Sequence, residues 1–466
     1  MPPVTQNKSA STSRRVWQLA WPSILSNLLF TTVGFLHIKI VAGLGTSAVA
    51  AVTTGHRVFF LVQAILMGVS VAATALIARH WGAGQVARAE LVTWTTLLMS
   101  IALAAALSVP VLVAPLGIAG LFGLDPETTA SAAGFIFWLG VFNVFSAVNM
   151  MLGTALRAIG DVITPLWYLF YSSVLNILFA YSLAFGVGPL PAFGVAGVAL
   201  GGSFGAFLVT TVFLWQWWRG RYNLKALKKR AIDWVTARQL VSIGAPAVLE
   251  QGIVQLAFLV FFAIVARYGT TAYAAYGIGI SLVSFSIVVG FGFGIAAATL
   301  VGQQLGAAKP ELAVKAGWRS LRMAVIAMVI FSLLLVVFAG DLARFMIDDP
   351  EVVRLTVVFI YIIALVQPIM ACEFTLAGAL RGAGDTRFPL LATLCGIMLG
   401  RLLPAWLAAS LGLSVYWIFA VMILDYCIKA ALLVVRFRSG NWLDIRISPA
   451  KFGNLATSID SDKKNT

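Results

Sequence analysis

Leu156-Arg-Ala-Ile-Gly-Asp161-Val-Ile-Thr-Pro165 returns as Leu380-Arg-Gly-Ala-Gly-Asp385-Thr-Arg-Phe-Pro389, displaced by 385 − 161 = 224 residues. The same offset carries Trp-Pro22 to Ala-Pro246 and His80-Trp-Gly82-Ala to Gln304-Leu-Gly306-Ala. It also carries Asp125-Pro-Glu to Asp349-Pro-Glu. Several separate matches in one register, without a net gap, mean that the chain is a duplication of one unit.

What fills each unit is apolar. Runs long enough to cross a bilayer occur near 16–42, 58–78, 91–114, 130–152, 163–186 and 194–218. Six more lie near 240–266, 273–301, 318–339, 352–376, 388–411 and 414–436. A helix needs about 20 residues to span ~30 Å of hydrocarbon. The runs are continuous rather than alternating, which indicates helices and not the strands of a barrel. Composition agrees, with 61% hydrophobic residues, 11% charged and a mean hydropathy of +0.96. A soluble domain carries roughly a quarter charged residues. Six spans per copy is an even number, so both copies enter the membrane from the same side. The expected fold is an all-α polytopic membrane protein of about twelve transmembrane helices, two parallel six-helix repeats enclosing a central cleft.

The net charge of +15 does not signal nucleic-acid binding, because the Lys and Arg residues sit between apolar runs. Most fall on one side, at Lys8, Arg14, Arg15, Arg79, Arg88, Arg157, the 219–238 cluster, Lys309, Lys315, Arg381, Arg387 and the C-terminal tail, while the opposite loops are nearly free of Lys and Arg and the 341–351 loop is mostly acidic. By the positive-inside rule the basic side is cytoplasmic, and the basic loops also contact anionic lipid. The division expected is a cytoplasmic tail over 1–15, an N-lobe over 16–218 and a basic cytoplasmic linker over 219–239. A C-lobe over 240–436 and a cytoplasmic tail over 437–466 follow. The first run continues through Leu36 without a small-residue cleavage site, so it is an uncleaved span. The chain is expected in a cell membrane, the inner membrane of a bacterium, with both termini inside. Cys372, Cys395 and Cys427 fall in apolar runs and suit packing rather than disulfides or metal. No phosphate-binding loop, metal-ligand cluster or Ser/His/Asp constellation stands out. The expectation is a non-enzymatic protein without cofactor, driven by an ion gradient or by a separate energy-supplying partner.

A carboxylate inside a span costs on the order of 2.5–3.5 kcal/mol, so it needs a partner or a task. Glu250 lies about ten residues into the seventh span, too deep to reach water. It reads as a cation site for H⁺, Na⁺ or a cationic substrate, with a packing role as the alternative. Glu373 lies near the inner end of the tenth span, either as a second site carboxylate or at the interface. Arg401 and Asp425 lie at similar depth in the eleventh and twelfth spans, and Lys429 shares a helical face with Asp425. These three form either a charge network that responds to Glu250 or a neutralised structural cluster. His37 is read as the one histidine well inside a span, a candidate proton sensor or a satisfied interior group. Polar and aromatic candidates for lining the cleft are Asn27, Asn143, Asn149, Asn176, Gln251, Gln255, Tyr276 and Gln367. The Gly-Asp turns at 160–161 and 384–385 suit tight turns with Asp capping the next helix.

The duplicated Leu-Arg-…-Gly-Asp element, the Pro22 and Pro246 helices, Asn176 and Gly194-Val-Ala-Gly-Val-Ala199 resemble the multidrug and toxic compound extrusion (MATE) family over roughly 16–436. The NorM-like branch is the better match than the DinF-like one. The resemblance implies a two-lobed, V-shaped, monomeric antiporter exporting small organic cations or amphipathic drugs against H⁺ or Na⁺. It also implies that Glu250 matches the seventh-helix coupling glutamate, holding Na⁺ if any metal ion binds. Glu373 roughly matches a tenth-helix acid. The first-helix aspartate usual in the family is replaced here by His37, in Phe35-Leu-His-Ile-Lys39. A flippase for lipid-linked oligosaccharide or lipid is the alternative within the same superfamily, and unpaired Arg401 and Lys429 facing the cleft would favour it.

Overall fold

The computed structural model describes residues 10–189, 191–227 and 232–445. The tail expectations for 1–9 and 446–466, and residues 228–231 of the linker, lie outside the described residues. Twelve candidate membrane spans are present among those described. In the N-lobe they are α1 (Ala10–Ala42), α2 (Thr46–Gly82), α3 (Val86–Val113), α5 (Pro126–Ile159), α6 (Ile163–Phe185) and α7 (Gly194–Trp218), with the short α4 (Pro115–Gly120) after α3. The C-lobe repeats the order with α8 (Trp234–Ala266), α9 (Thr270–Gly306), α10 (Pro310–Val337), the short α11 (Ala339–Met346) and α12 (Pro350–Gly382). Its eleventh span is broken into α13 (Arg387–Cys395), a π-helical stretch Gly396–Leu402 and α14 (Leu403–Ser410), and α15 (Val415–Ser439) closes it.

Helix ends follow the duplicated landmarks. Asp125 and Asp349 are N-caps whose carboxylates accept from Thr128 N (2.9 Å) and from Glu351 N and Val352 N (2.9 and 3.1 Å), each followed by proline in the first turn. Gly160 and Gly384 take positive φ (98° and 91°), and Asp161 and Asp385 accept from Thr164 N and Phe388 N at the start of the next helix. Several helices outrun the apolar runs. Helix α2 begins at Thr46 rather than near 58, α8 begins inside the expected linker, and α11 takes up part of the segment between the ninth and tenth apolar runs.

The two lobes meet by a pseudo-two-fold in which the closest glycine contacts recur with their partners exchanged by 224 residues. A Cβ on Gly82 would fall 2.0 Å from Gln303 O, and one on Gly306 would fall 1.9 Å from Arg79 O. A Cβ on Gly68 would strike Val248, and one on Gly292 would strike Ile24. On the axis itself, Gly302 packs on Ala78. Glycine is required here because any side chain would hold the backbones apart. Thr299 Oγ1 and Gln303 Nε2 add hydrogen bonds to Arg157 O (3.4 Å) and Ala158 O (2.8 Å). These approaches fall in the last four or so turns of α2 and α9. The V-shaped lobes are therefore sealed at the face that carries the basic loops, while a Cβ at Gly34 or Gly277 farther out would meet open space.

Candidate functional site

Glu250 sits on α8 and is 4% exposed. Its Oε1 accepts from Arg381 Nη2 at 2.6 Å and from Thr393 Oγ1 at 3.0 Å. Its Oε2 is buried and has no hydrogen-bond partner. The ion pair is possible because α12 runs on to Gly382, which lifts Arg381 out of the expected loop and into the last helical turn. One oxygen is thus neutralised, and the other is left available.

A second cluster lies deeper in the C-lobe. Asp425 of α15 pairs with Arg401 Nη2 and, at 3.2 Å, with Lys429 Nζ one turn on. Lys429 also reaches Glu373 Oε1 at 3.3 Å. The Asp425 contacts are ion pairs off the hydrogen-bond axis, and Glu373 Oε2 is buried without a partner. The π-helical stretch makes the cluster possible. Gly400 lies where a Cβ would be 2.5 Å from Asp425 Cα, and Gly396 where it would be 2.4 Å from Lys429 Cγ. The wider turn and the two glycines let α15 press against the stretch, with Arg401 turned inward beside Phe258, Phe261 and Tyr426. Two acids and two bases leave the cluster neutral.

In the N-lobe, His37 of α1 is buried, with Nε2 2.6 Å from Asn176 Oδ1. Its ring stacks on His56 of α2 at 5.6 Å between centroids, and His56 meets the edge of Phe135. His37 Nδ1 and His56 Nε2 are buried without partners. This corrects the reading of His37 as the one histidine inside a span. His56 lies ten residues into a helix that starts earlier than its apolar run. Of the other candidates, Tyr276 is enclosed by Phe261, Phe262, Phe359 and Phe419 in the C-lobe core, and Gln367 is likewise fully buried. Asn143 Nδ2 bonds Ala104 O and Ser108 Oγ, and Asn149 Nδ2 bonds Thr210 Oγ1. Asn27, Gln251 and Gln255 are half-buried on α1 and α8.

A family model described as MatE matches residues 22–182 and 246–407, one match in each lobe and together more than half the chain. The chain belongs to the MatE family. A relative from Thermotoga maritima, named "Probable multidrug resistance protein NorM", is 27% identical over 436 residues, 91% of this chain and 92% of its own. The MatE fold is equally plain in solved structures. The Vibrio cholerae MATE transporter VcmN in its bent form superposes with a TM-score of 0.85 at 19% identity, covering 93% of this chain and 99% of that one. A MOP superfamily transporter from Pyrococcus furiosus, reported with a binding pocket of reverse polarity, superposes with a TM-score of 0.87 at 17% identity, covering 95% and 100%. As a MatE protein this is a multi-pass membrane transporter, of a family that is not enzymatic.

What sequence reading missed in this MatE protein were the partners of Glu250 and Glu373. Arg381 counts as a topology signal until the helix boundary is known. Glu373 and Lys429 are 56 residues apart with nothing between them to mark the pair.

Proposed function

We propose that this transporter exports amphipathic organic cations from the cytoplasm in exchange for protons, with Glu250 as the coupling carboxylate. It acts as a monomer in the bacterial inner membrane with both termini inside. The observation that carries the reading is the buried, unpartnered Oε2 of Glu250 beside an Oε1 held by Arg381 and Thr393. A proton can be taken there without a second ligand. Sodium is a poorer fit. It would share the carboxylate with the Arg381 guanidinium, and two unit charges about 4 Å apart repel by about 4 kcal/mol at an effective dielectric of 20. Glu373 and Asp425 likewise already face the fixed cations Lys429 and Arg401. Protonation of Glu250 removes the anion that holds Arg381, at the foot of the helix that flanks the inner seam. Proton and drug thereby favour different states, as exchange requires.

The lipid or oligosaccharide flippase reading is disfavoured by the burial and pairing of Arg401 and Lys429, which offer no cationic track. Vesicle transport of ethidium tests the proposal. A pH gradient should drive export, a sodium gradient alone should not, and Glu250→Gln should abolish the pH-driven flux. Full export by Glu250→Gln, or export driven by sodium alone, would contradict it.

A further inference from the structure

The duplication makes one asymmetry visible. Arg157 of α5 is the counterpart of Arg381, since 381 − 157 = 224. In the C-lobe that arginine is neutralised by Glu250, whose counterpart at 250 − 224 = 26 is Ser26, with a hydroxyl bonded to Pro22 O of its own helix (2.8 Å). Thr393, which also holds Glu250, corresponds to Leu169. Neither half of the carboxylate anchor exists in the N-lobe.

What stands there instead is polar and neutral. Arg157 Nη2 donates to Thr154 Oγ1 at 3.2 Å, and Thr154 Oγ1 lies 2.8 Å from Ser70 Oγ. The guanidinium lies along Gly153, where a Cβ would be 3.3 Å from Nη1. At the positions corresponding to Ser70 and Thr154, the C-lobe has Gly294 and Gly378, packed so closely that a Cβ on Gly378 would fall 2.4 Å from Gly294 O. The N-lobe has hydroxyls where the C-lobe has closed backbone. Arg157 is half-buried and joins no ion pair among the described residues. The nearest acid along the chain, Asp161, is engaged at the start of α6 by Thr164 N. Hydroxyl dipoles do not cancel a unit charge. A guanidinium that is always protonated keeps a planar fork of donors suited to a carboxylate or phosphate.

We propose that Arg157, with the Thr154 and Ser70 hydroxyls, forms an anion-binding site in the N-lobe that receives the carboxylate or phosphate of an amphipathic acid. It occupies the place that Glu250 fills by itself in the other lobe. The acid group comes from a free amphipathic molecule or from a lipid headgroup, and the two are separable. The site is independent of proton coupling at Glu250.

The test uses the full-length protein in phosphatidylcholine nanodiscs, with carboxyfluorescein as the free acid and phosphatidylglycerol as the lipid. Fluorescence anisotropy should show carboxyfluorescein binding that Arg157→Gln weakens at least tenfold. Ser26→Glu, which installs the C-lobe carboxylate opposite Arg157, should weaken it as strongly while leaving every residue of the site in place. Competition by added phosphatidylglycerol assigns the site to lipid, and lack of competition assigns it to a free acid. If the wild type binds neither probe, or if both variants bind as the wild type does, the proposal is wrong. Ethidium export by the Ser26→Glu variant, measured alongside, separates this result from the coupling reading.

Discussion

Replacing Asp425 by Asn removes the acid that stands between Arg401 and Lys429. In the wild type the cluster holds two cations and two anions, Arg401 and Lys429 against Glu373 and Asp425. Asp425→Asn leaves two against one, a net charge of +1 enclosed by residues that are at most 16% exposed at their side chains. Arg401→Met leaves one against two. Breaking a buried pair by removing one partner costs about 3–5 kcal/mol, because the remaining charge stays desolvated without its counter-charge. The double variant returns the cluster to one against one, Lys429 with Glu373, whose 3.3 Å contact needs neither changed residue. Removing a whole buried pair is close to neutral, so the double variant should recover most of the loss. The cycle should give a coupling energy of about 3 kcal/mol or more, read from thermal unfolding of the purified protein in detergent. If the double variant is as unstable as the sum of the singles, the cluster is not balanced by mutual charge and the reasoning fails.

Three further outcomes follow from the same geometry. Gly82→Val should force the inner seam apart, since its side chain starts 2.0 Å from Gln303 O. Spin-label distances between the C-terminal ends of α2 and α9 should lengthen, and unchanged distances would show that the seam is not set by glycine contact. Gly400→Ala should destabilise by about 1–3 kcal/mol through overpacking against Asp425 Cα, and thermal unfolding no different from wild type would exclude a tight fit there. The hydroxyl of Thr128, with backbone hydrogen bonds, holds the Asp125 carboxyl below the usual carboxylate range. The cap of α5 should therefore be fully charged above the unfolded value of about 3.9 and be lost only as pH falls through its lower folded value. Protection of the first amides of α5 against hydrogen exchange, taken relative to their intrinsic exchange at each pH, should stay level from neutral pH to about pH 5, and lost protection within that interval would count against this account.

The sequence by itself determined the number of spans, their helical nature, their duplication and the side that carries the basic loops. Those properties depend on apolar run length, on residues at a constant offset and on loop charge, all of which are local or in register. It also marked Glu250, Glu373, Arg401, Asp425 and Lys429 as residues that must have a reason to be in lipid, because desolvation depends on depth alone. The partners of Glu250 and Glu373 were decided only by the tertiary structure. Asp425 and Lys429 were readable as a pair because one helical turn separates them. The Glu250–Arg381 and Glu373–Lys429 pairs join separate helices, and their meeting depends on how those helices are rotated and shifted against each other. The widened turn at Gly396–Leu402 shifts that register within a run that reads as ordinary helix, and the stacking of His37 on His56 depends on where α2 starts. The missing partner of Arg157 is intermediate between the two. Its absence is written in the sequence as Ser26, but it has meaning only once the fold shows that position 26 stands where Glu250 does.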